Sequence, residues 1–479
     1  MINNTVRELA ELIGARAEID GAAPTAAALD APVVDLAYDS RNVKQGSLFV
    51  AFPGERVDGH DYARNAWAAG AVAAITSRPV PGGLCLVVDD PQTAMGVIGR
   101  HVIKIAKKTG LTVLGITGSA GKTTTKDLLA QLLETHGSAV APRGSMNNEI
   151  GLPVTASCVT TDTDYLIAEM GAKGIGHIKY LCEITPPDIG LELNVGVAHL
   201  GKFGSQDAIA TAKGELVEAL PTDGRAVLNA GDRRVWRMAE RTSAPVLSYG
   251  VEGDDLPAGL IPQVYAVDLA ADELDRWSFT LIINDRRHPV RLRLLGRHQV
   301  GNAVAAAAAA YSVGVEPQKI ADVLTRVGIR SRWRMELHEL AGDVVLINDA
   351  YNANPASMQA ALSTLTEIGR RRSSTRSQAR TIAVLGEMLE LGPDSEELHR
   401  GVGRTAAELG VDELIVVGEA AGAIADGARS QSAAGSIRQV PDKEAVIPAL
   451  GALHPGDAVL IKASRDVGLE SLGDQLSTE

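Results

Sequence analysis

The stretch GITGSAGKTTTKD, residues 115–127, sets glycines, a lysine and threonines where they could hold a phosphate. The usual G-x-x-x-x-G-K-[ST] spacing fails, because Ile116 stands where its first glycine belongs. What remains is a tighter form, Gly118-Ser119-Ala120-Gly121-Lys122-Thr123-Thr124. Its glycines let backbone N–H groups turn inward, Lys122 supplies a positive charge, and Thr123 offers a hydroxyl to a cation. The alternative is a Gly-rich surface turn. The apolar run 111–116 ahead of the loop and the helical spacing of leucines and alanines over 123–134 behind it favour a strand, a loop and a helix whose N-terminus faces an anion.

Four further clusters could carry chemistry. Residues 164–169 form an apolar strand ending in Glu169, the carboxylate that a nucleotide-bound magnesium needs beside a phosphate loop. Residues 193–199 form a second strand, ending in His199; without a partner it reads as a capped or core histidine. Ser205 caps an expected helix over 206–220, in which Lys213 reads as a solvated mid-helix charge near Glu215. Residues 348–355 leave a strand and enter a helix, with Asn354 as cap and Pro355 in the first turn; they are a polar turn or the lining of a ligand crevice.

The elements that must position these residues form three regions, as a length of 479 residues suggests. Short strands and helices run to residue 109. The second region, 110–330, holds the loop and recurring strands, with alternation over 277–295 around Asn284-Asp285 predicting a β-hairpin and the Ala-rich run 303–310 a closely packed helix. In the third, 331–479, strands at 344–349, 381–386, 413–418 and 458–462 alternate with helices, the pattern of a parallel sheet covered on both faces. No GxGxxG follows a strand of this third region, so a dinucleotide site has no support, and the basic, Ser-rich 369–380 reads as a solvated loop.

Composition narrows the partners. A net charge of −13 and 3% aromatics argue against nucleic acid, which wants basic surface and stacking rings. Three scattered cysteines fit buried thiols in a reducing compartment. The N-terminus lacks an apolar signal core, and the longest mostly apolar run, 300–315, is short of a membrane span. A cytoplasmic protein without membrane insertion is expected, and a monomer.

Taken in order, these segments resemble the Mur ligases, ATP-dependent amide-forming enzymes of peptidoglycan synthesis. The resemblance rests on Asp39-Ser40-Arg41, GSLFVA (46–51), Gly54 and DGHD (58–61) in the first region. It continues through TGSAGKTTTK, SMNNEIGLP (145–153), AEMGAKGIGHI (168–178), NVGVAHLGKFGSQDAIATAKGE (194–215) and LLGRHQVGNAVAAA (294–307). The third region adds RWRME (332–336), NDAYNANPASM (348–358), VLGEMLELG (384–392) and IKASR (461–465). The Asn-Ala-Asn-Pro and LGEMLELG stretches point to the dipeptide-adding branch. A folylpolyglutamate synthetase, which shares the second and third domains, is disfavoured by the 39–61 region; a ligase-inactive P-loop switch is disfavoured by the Lys213 and Asp349 segments.

The resemblance implies an α/β fold of three domains: an N-terminal uridine-nucleotide-sugar-binding domain, a central P-loop ATPase domain with a parallel sheet, and a C-terminal Rossmann-like domain that closes over ATP and binds the dipeptide. It implies the substrates ATP, UDP-N-acetylmuramoyl-tripeptide and D-alanyl-D-alanine, with two magnesium ions. Lys122, Glu169, His199, Lys213 and Arg334 would be catalytic, and Thr123, Glu169, His199 and a carbamylated Lys213 would serve the metals. ATP would meet Gly118 to Thr124, His298, Asn302, Arg334, Asp349, Tyr351 and Asn352. Ser40 and Arg41 would lie near the uridine diphosphate, and Asn147 and Asn148 would face the muramoyl-peptide. Two departures stand out: Gln299 replaces a frequent asparagine, and Asp466 brings a carboxylate where a small residue is expected.

Overall fold

A computed structural model of the chain describes residues 2, 4–54, 57–142, 144–196, 203–374, 376, 379–432 and 435–476. Three sheets organise it, beside a small two-stranded one. The N-terminal sheet has five strands in the spatial order Arg16–Glu18, Cys85–Val87, Ala73–Thr76, Leu48–Val50, Leu36–Ala37, parallel except for the first pair. The helix Pro91–Lys107 leads out of it, capped by Asp90 and started by a proline at its first turn. It packs against the helices Gly151–Ser157 and His177–Ile184 of the next region, so it belongs to both.

The central sheet has nine strands. The strand that feeds the loop, Thr112–Thr117, lies between Tyr165–Glu169 and Ile189–Glu192, all three parallel. In register, Glu169 sits opposite Ile116 and Glu192 opposite Thr117, so the two carboxylates leave the sheet at the same edge as the loop. The expected hairpin is present as Arg276–Ile283 and Arg286–Leu295. Asn284 and Asp285 both take positive φ, 50° and 60°, as a two-residue turn requires. It is continuous with the sheet through Val264–Ala271. Behind the sheet, every residue from Ala303 to Ala310 is fully buried in the helix His298–Ser312, whose small side chains allow close packing on the loop helix Lys122–Leu133.

The C-terminal sheet has six strands, ordered Glu336–Leu340, Val344–Asn348, Ala458–Lys462, Thr381–Leu385, Glu413–Val417, Ser436–Val440, with only the first antiparallel. The outer two escape a hydrophobic pattern because both lie at edges and carry charged residues.

Three expectations change. The helix expected over 206–220 is two, Gln206–Lys213 and Glu215–Glu218, broken where the Arg241 guanidinium binds the carbonyls of Ala210 and Thr211 against Gly214. Lys213 is therefore not a solvated charge but is 4% exposed at a helix end. The basic 369–380 segment is not simply a solvated loop: the helix Pro355–Ser373 runs into it, and Arg370, Arg371, Arg372, Arg376 and Arg380 all pair with carboxylates. No helix among the described residues is long and apolar enough to cross a membrane.

Candidate active site

The loop turns as its glycines allow. Gly121 has φ +84°, and a Cβ there would lie 2.3 Å from Asn302 Oδ1, so no other residue fits without displacement. Asn194 braces the turn from the neighbouring strand end: its Oδ1 accepts from Ala120 N at 2.9 Å and its Nδ2 donates to Ala120 O at 3.1 Å. Ser119 Oγ accepts from Gly196 N. Lys122, first residue of the loop helix, donates to Gly118 O at 2.7 Å; burial lowers its pKa, with Glu169 opposing that shift. Thr123 and Thr124 are buried in the first helical turn.

Around Thr123 several segments meet. Its hydroxyl lies 2.9 Å from Ser145 Oγ and donates to Glu169 Oε1 at 3.2 Å. Asn147 Nδ2 donates to the same Glu169 oxygen at 2.9 Å. Glu169 is 1% exposed, and its Oε2 has no hydrogen-bond partner among the described residues. A buried carboxylate oxygen without a donor is costly, and a cation would satisfy it. From the C-terminal region, Arg334 Nη2 donates to Ser145 Oγ at 2.6 Å, while its buried Nε finds no partner among the described residues. One unmatched donor and one unmatched acceptor thus stand near the loop, as phosphate and a metal ion require.

Arg334 is held by shape as well as charge. Its guanidinium lies 4.2 Å from the centre of the Tyr351 ring. Trp333 and Met335 on either side take positive φ, 59° and 51°, a conformation costing about 1–3 kcal/mol per residue. Met335 N donates to Asp349 Oδ1, and Lys462, buried on the adjacent strand, donates to Asp349 Oδ2 at 2.6 Å.

A cavity of about 230 Å³ opens beside the loop, lined by Ala120, Gly121, Tyr249, Asp254, His298 and Asn302 among others. Gln299 is absent from its lining: buried at 2% exposure, it accepts from Asn302 Nδ2 and so fixes the residue that faces the cavity. A second cavity, about 160 Å³, lies at the C-terminal ends of the third sheet's strands between Asn352, Asn354, Glu390, Arg465 and Asp466. Asn352 lines this second cavity rather than the first.

Lys213 is brought towards the same centre. Its pKa is lowered, chiefly by burial and further by Lys122, with Glu192 opposing. Glu192 is fully buried, and neither carboxylate oxygen has a hydrogen-bond partner among the described residues; burial raises its pKa. Glu215 caps the helix His177–Ile184 by accepting from Gly176 N and Lys179 N, which ties the Lys213 segment to the chain that follows Glu169. His199 lies outside the described residues. Ser40 and Arg41 form a short turn capped by Asp39, with Arg41 exposed and paired to Asp39. Asn148 Oδ1 accepts from Gly151 N, at the start of the helix Gly151–Ser157.

Three family models match the chain in succession: Mur ligase family, catalytic domain over 33–115; Mur ligase middle domain over 116–310; and Mur ligase, glutamate ligase domain over 333–465. The chain belongs to the Mur ligase family. UDP-N-acetylmuramoyl-tripeptide–D-alanyl-D-alanine ligase of Mycobacterium tuberculosis is 42% identical, over 99% of this chain and 98% of that one. The Escherichia coli ligase of the same name is 33% identical over 98% of both. Among solved structures, MurF from Acinetobacter baumannii aligns with a TM-score of 0.82 and 29% identity over 100% of this chain and 99% of its own. MurF ligase from Thermotoga maritima in complex with ADP aligns with a TM-score of 0.75 and 28% identity over 93% and 97%.

In this Mur ligase several site residues escaped the sequence reading. Ser145, the hydroxyl between Thr123 and Arg334, sits inside the quoted SMNNEIGLP but carries no motif of its own. Asn194 follows an apolar strand, as loop-bracing residues do, but nothing in the 193–199 segment sets it apart from its neighbours. Glu192 and Lys462 each end a strand, where a charged residue closing an apolar run is a signal, and Lys462 also falls in IKASR (461–465).

Proposed function

We propose that this Mur ligase joins D-alanyl-D-alanine to UDP-N-acetylmuramoyl-tripeptide at the expense of ATP, giving UDP-N-acetylmuramoyl-pentapeptide, ADP and phosphate. The observation that carries this reading is the chain of contacts that runs from the Glu169 carboxylate to Thr123 of the phosphate-loop helix, and through Ser145 to Arg334. Residues 1–109 take the uridine nucleotide, with Ser40 and Arg41 near its diphosphate. Residues 110–330 take ATP, its phosphates on the loop and its base towards the His298 and Asn302 cavity. Residues 331–479 supply Arg334 and Asp349 to ATP and take the dipeptide, for which the 160 Å³ cavity beside Asn354 and Arg465 is the candidate.

In the first step an oxygen of the tripeptide's terminal carboxylate attacks the γ-phosphorus; the bond to the bridging oxygen breaks and ADP leaves, giving an acyl phosphate. Two anions approach, so Lys122 and Arg334 offset their repulsion and hold the phosphates in line. In the second step the dipeptide's neutral amine attacks the acyl carbon, the amide C–N bond forms, phosphate departs with its oxygen, and the nitrogen loses a proton. Closure of the C-terminal region over the loop excludes water, which would otherwise hydrolyse the acyl phosphate.

Magnesium fits the donors: Thr123 Oγ1 and the unpartnered Glu169 Oε2 are hard oxygens. When bound, it supplies charge neutralisation at the phosphates. A second ion would use Lys213 as its carbamate together with His199. The burial and lowered pKa of Lys213 support a neutral amine able to take up carbon dioxide. The reading includes a monomer in the cytoplasm.

The test is phosphate release from Mg-ATP with both substrates present and each omitted in turn. Release that requires both, with a pentapeptide product, supports the ligase; release unchanged by either substrate overturns the assignment.

A further inference from the structure

The loop helix carries a buried ion pair that takes no part in the steps above. Lys126 is 1% and Asp127 3% exposed, and neither lines the nucleotide cavity. The Lys126 ammonium lies 2.8 Å from Asp127 Oδ1 and donates to Pro142 O at 2.8 Å, Gly144 O at 3.1 Å and Ser331 Oγ at 3.5 Å, which uses its three donors. Asp127 Oδ2 accepts from Ser331 N at 2.8 Å and Arg330 N at 3.1 Å. Further along the same helix face, Gln131 donates to Gly328 O and Glu134 pairs with both terminal nitrogens of Arg330. The interdomain linker is thereby laid along the helix at i, i+4 and i+7.

The two segments held by this pair are those that meet at the site. Ser145 follows Gly144 directly, and Arg334 comes three residues after Ser331. A buried ion pair adds little net stability over an apolar pair, because desolvation offsets the attraction. What it adds here is direction: the carboxylate holds backbone N–H groups of the linker, and the ammonium holds the Pro142 and Gly144 carbonyls and reaches the Ser331 hydroxyl.

We propose that Lys126 and Asp127 are positioning residues for phosphoryl transfer, which together hold the Pro142 and Gly144 carbonyls ahead of Ser145 and the 328–331 linker ahead of Arg334, so that Arg334 reaches Ser145 beside the phosphate loop. This rests on the reading of Arg334 as a phosphate contact. The pair acts through Arg334 and not on nucleotide affinity, since both of its charges are spent on protein groups.

The experiment is a double-mutant cycle in the full-length enzyme with Asp127→Asn and Arg334→Ala, reading kcat at saturating substrates and nucleotide affinity by titration with fluorescent ADP. Asp127→Asn is expected to lower kcat by ~10²-fold, the cost of misplacing a reacting group by about an ångström, with ADP affinity unchanged. In the Arg334→Ala background the same substitution should change kcat less than about twofold, because the group it positions is gone. Losses that multiply, or a loss confined to ADP affinity, overturn the proposal. An Arg334→Ala enzyme with full kcat overturns the reading of Arg334 itself, a different outcome from an additive cycle. Lys126→Met carries the same cycle if Asp127→Asn does not fold, and its circular dichroism confirms a native chain.

Discussion

Arg334 Nη2 donates to Ser145 Oγ across 2.6 Å, and that hydroxyl lies 2.9 Å from Thr123 Oγ1. A residue of the C-terminal region is thereby linked through one side chain to the first turn of the loop helix. Removing a fixed donor aimed at developing charge typically costs ~10²–10³-fold in kcat. Arg334→Ala is expected to fall in that range in a phosphate-release assay. Arg334→Lys should recover only part of it, because an ammonium lacks the planar fork and the stacking on Tyr351.

Glu169 has one oxygen held by Thr123 and Asn147 and the other unpartnered among the described residues. Glu169→Gln keeps the size and loses the charge. The magnesium concentration for half-maximal activity should rise by ~10-fold or more. An unshifted magnesium titration would remove Glu169 from the metal site.

Lys213 is buried and its pKa lowered, so a larger share of it is neutral amine than of an exposed lysine at the same pH. Carbamylation joins that amine to carbon dioxide and releases a proton, so it is favoured as pH rises. Stripping carbon dioxide should lower activity and bicarbonate should restore it, with more bicarbonate needed at lower pH. Labelled bicarbonate should give a carbamate carbon signal that Lys213→Ala lacks; an activity indifferent to bicarbonate, with no such signal, counts against the modification.

Asp275 lies 3.4 Å from Arg371, where the hairpin of the central sheet meets the helix Pro355–Ser373, and burial pushes its pKa up from 3.8 to about 6. Its folded pKa exceeds the unfolded value, so the folded state binds more protons between the two. Its contribution to stability is whole below the unfolded pKa and is lost as pH rises through the folded one. Asp275→Asn should therefore gain melting temperature relative to the parent as pH goes from 4 to 7. Parallel melting curves for parent and variant across that range would disprove the assignment.

Much of this could be read from residue order. The phosphate loop needs glycines at turns and a helix start behind it, and both are local, so Gly118 to Thr124 stood out. The Asn354 cap and the Asn284-Asp285 turn are local too, and both appear as expected. Lys213 is the opposite case: at helical spacing a lysine looks solvated, and what buries it is the packing of a broken helix against the sheet. Among the arginines of 369–380, Arg370 pairs with the nearby Glu367, but Arg371, Arg372, Arg376 and Arg380 looked free because their partners Asp275, Asp343 and Asp457 lie far along the chain.

Motif and pattern were enough for an α/β chain with a phosphate loop and, through resemblance, for the Mur ligase family, because short-range backbone geometry dictates residue type at turns, caps and strands. Folding alone could bring Arg334 to Ser145, leave Glu169 Oε2 unpartnered among the described residues, turn Gln299 onto Asn302 and bury Lys126 with Asp127. The Arg334–Ser145 contact joins segments far apart in the chain, while the others lie within one helix or at one strand end and depend on what packs around them. Their strength comes from desolvation, which no residue carries until the rest of the chain has folded.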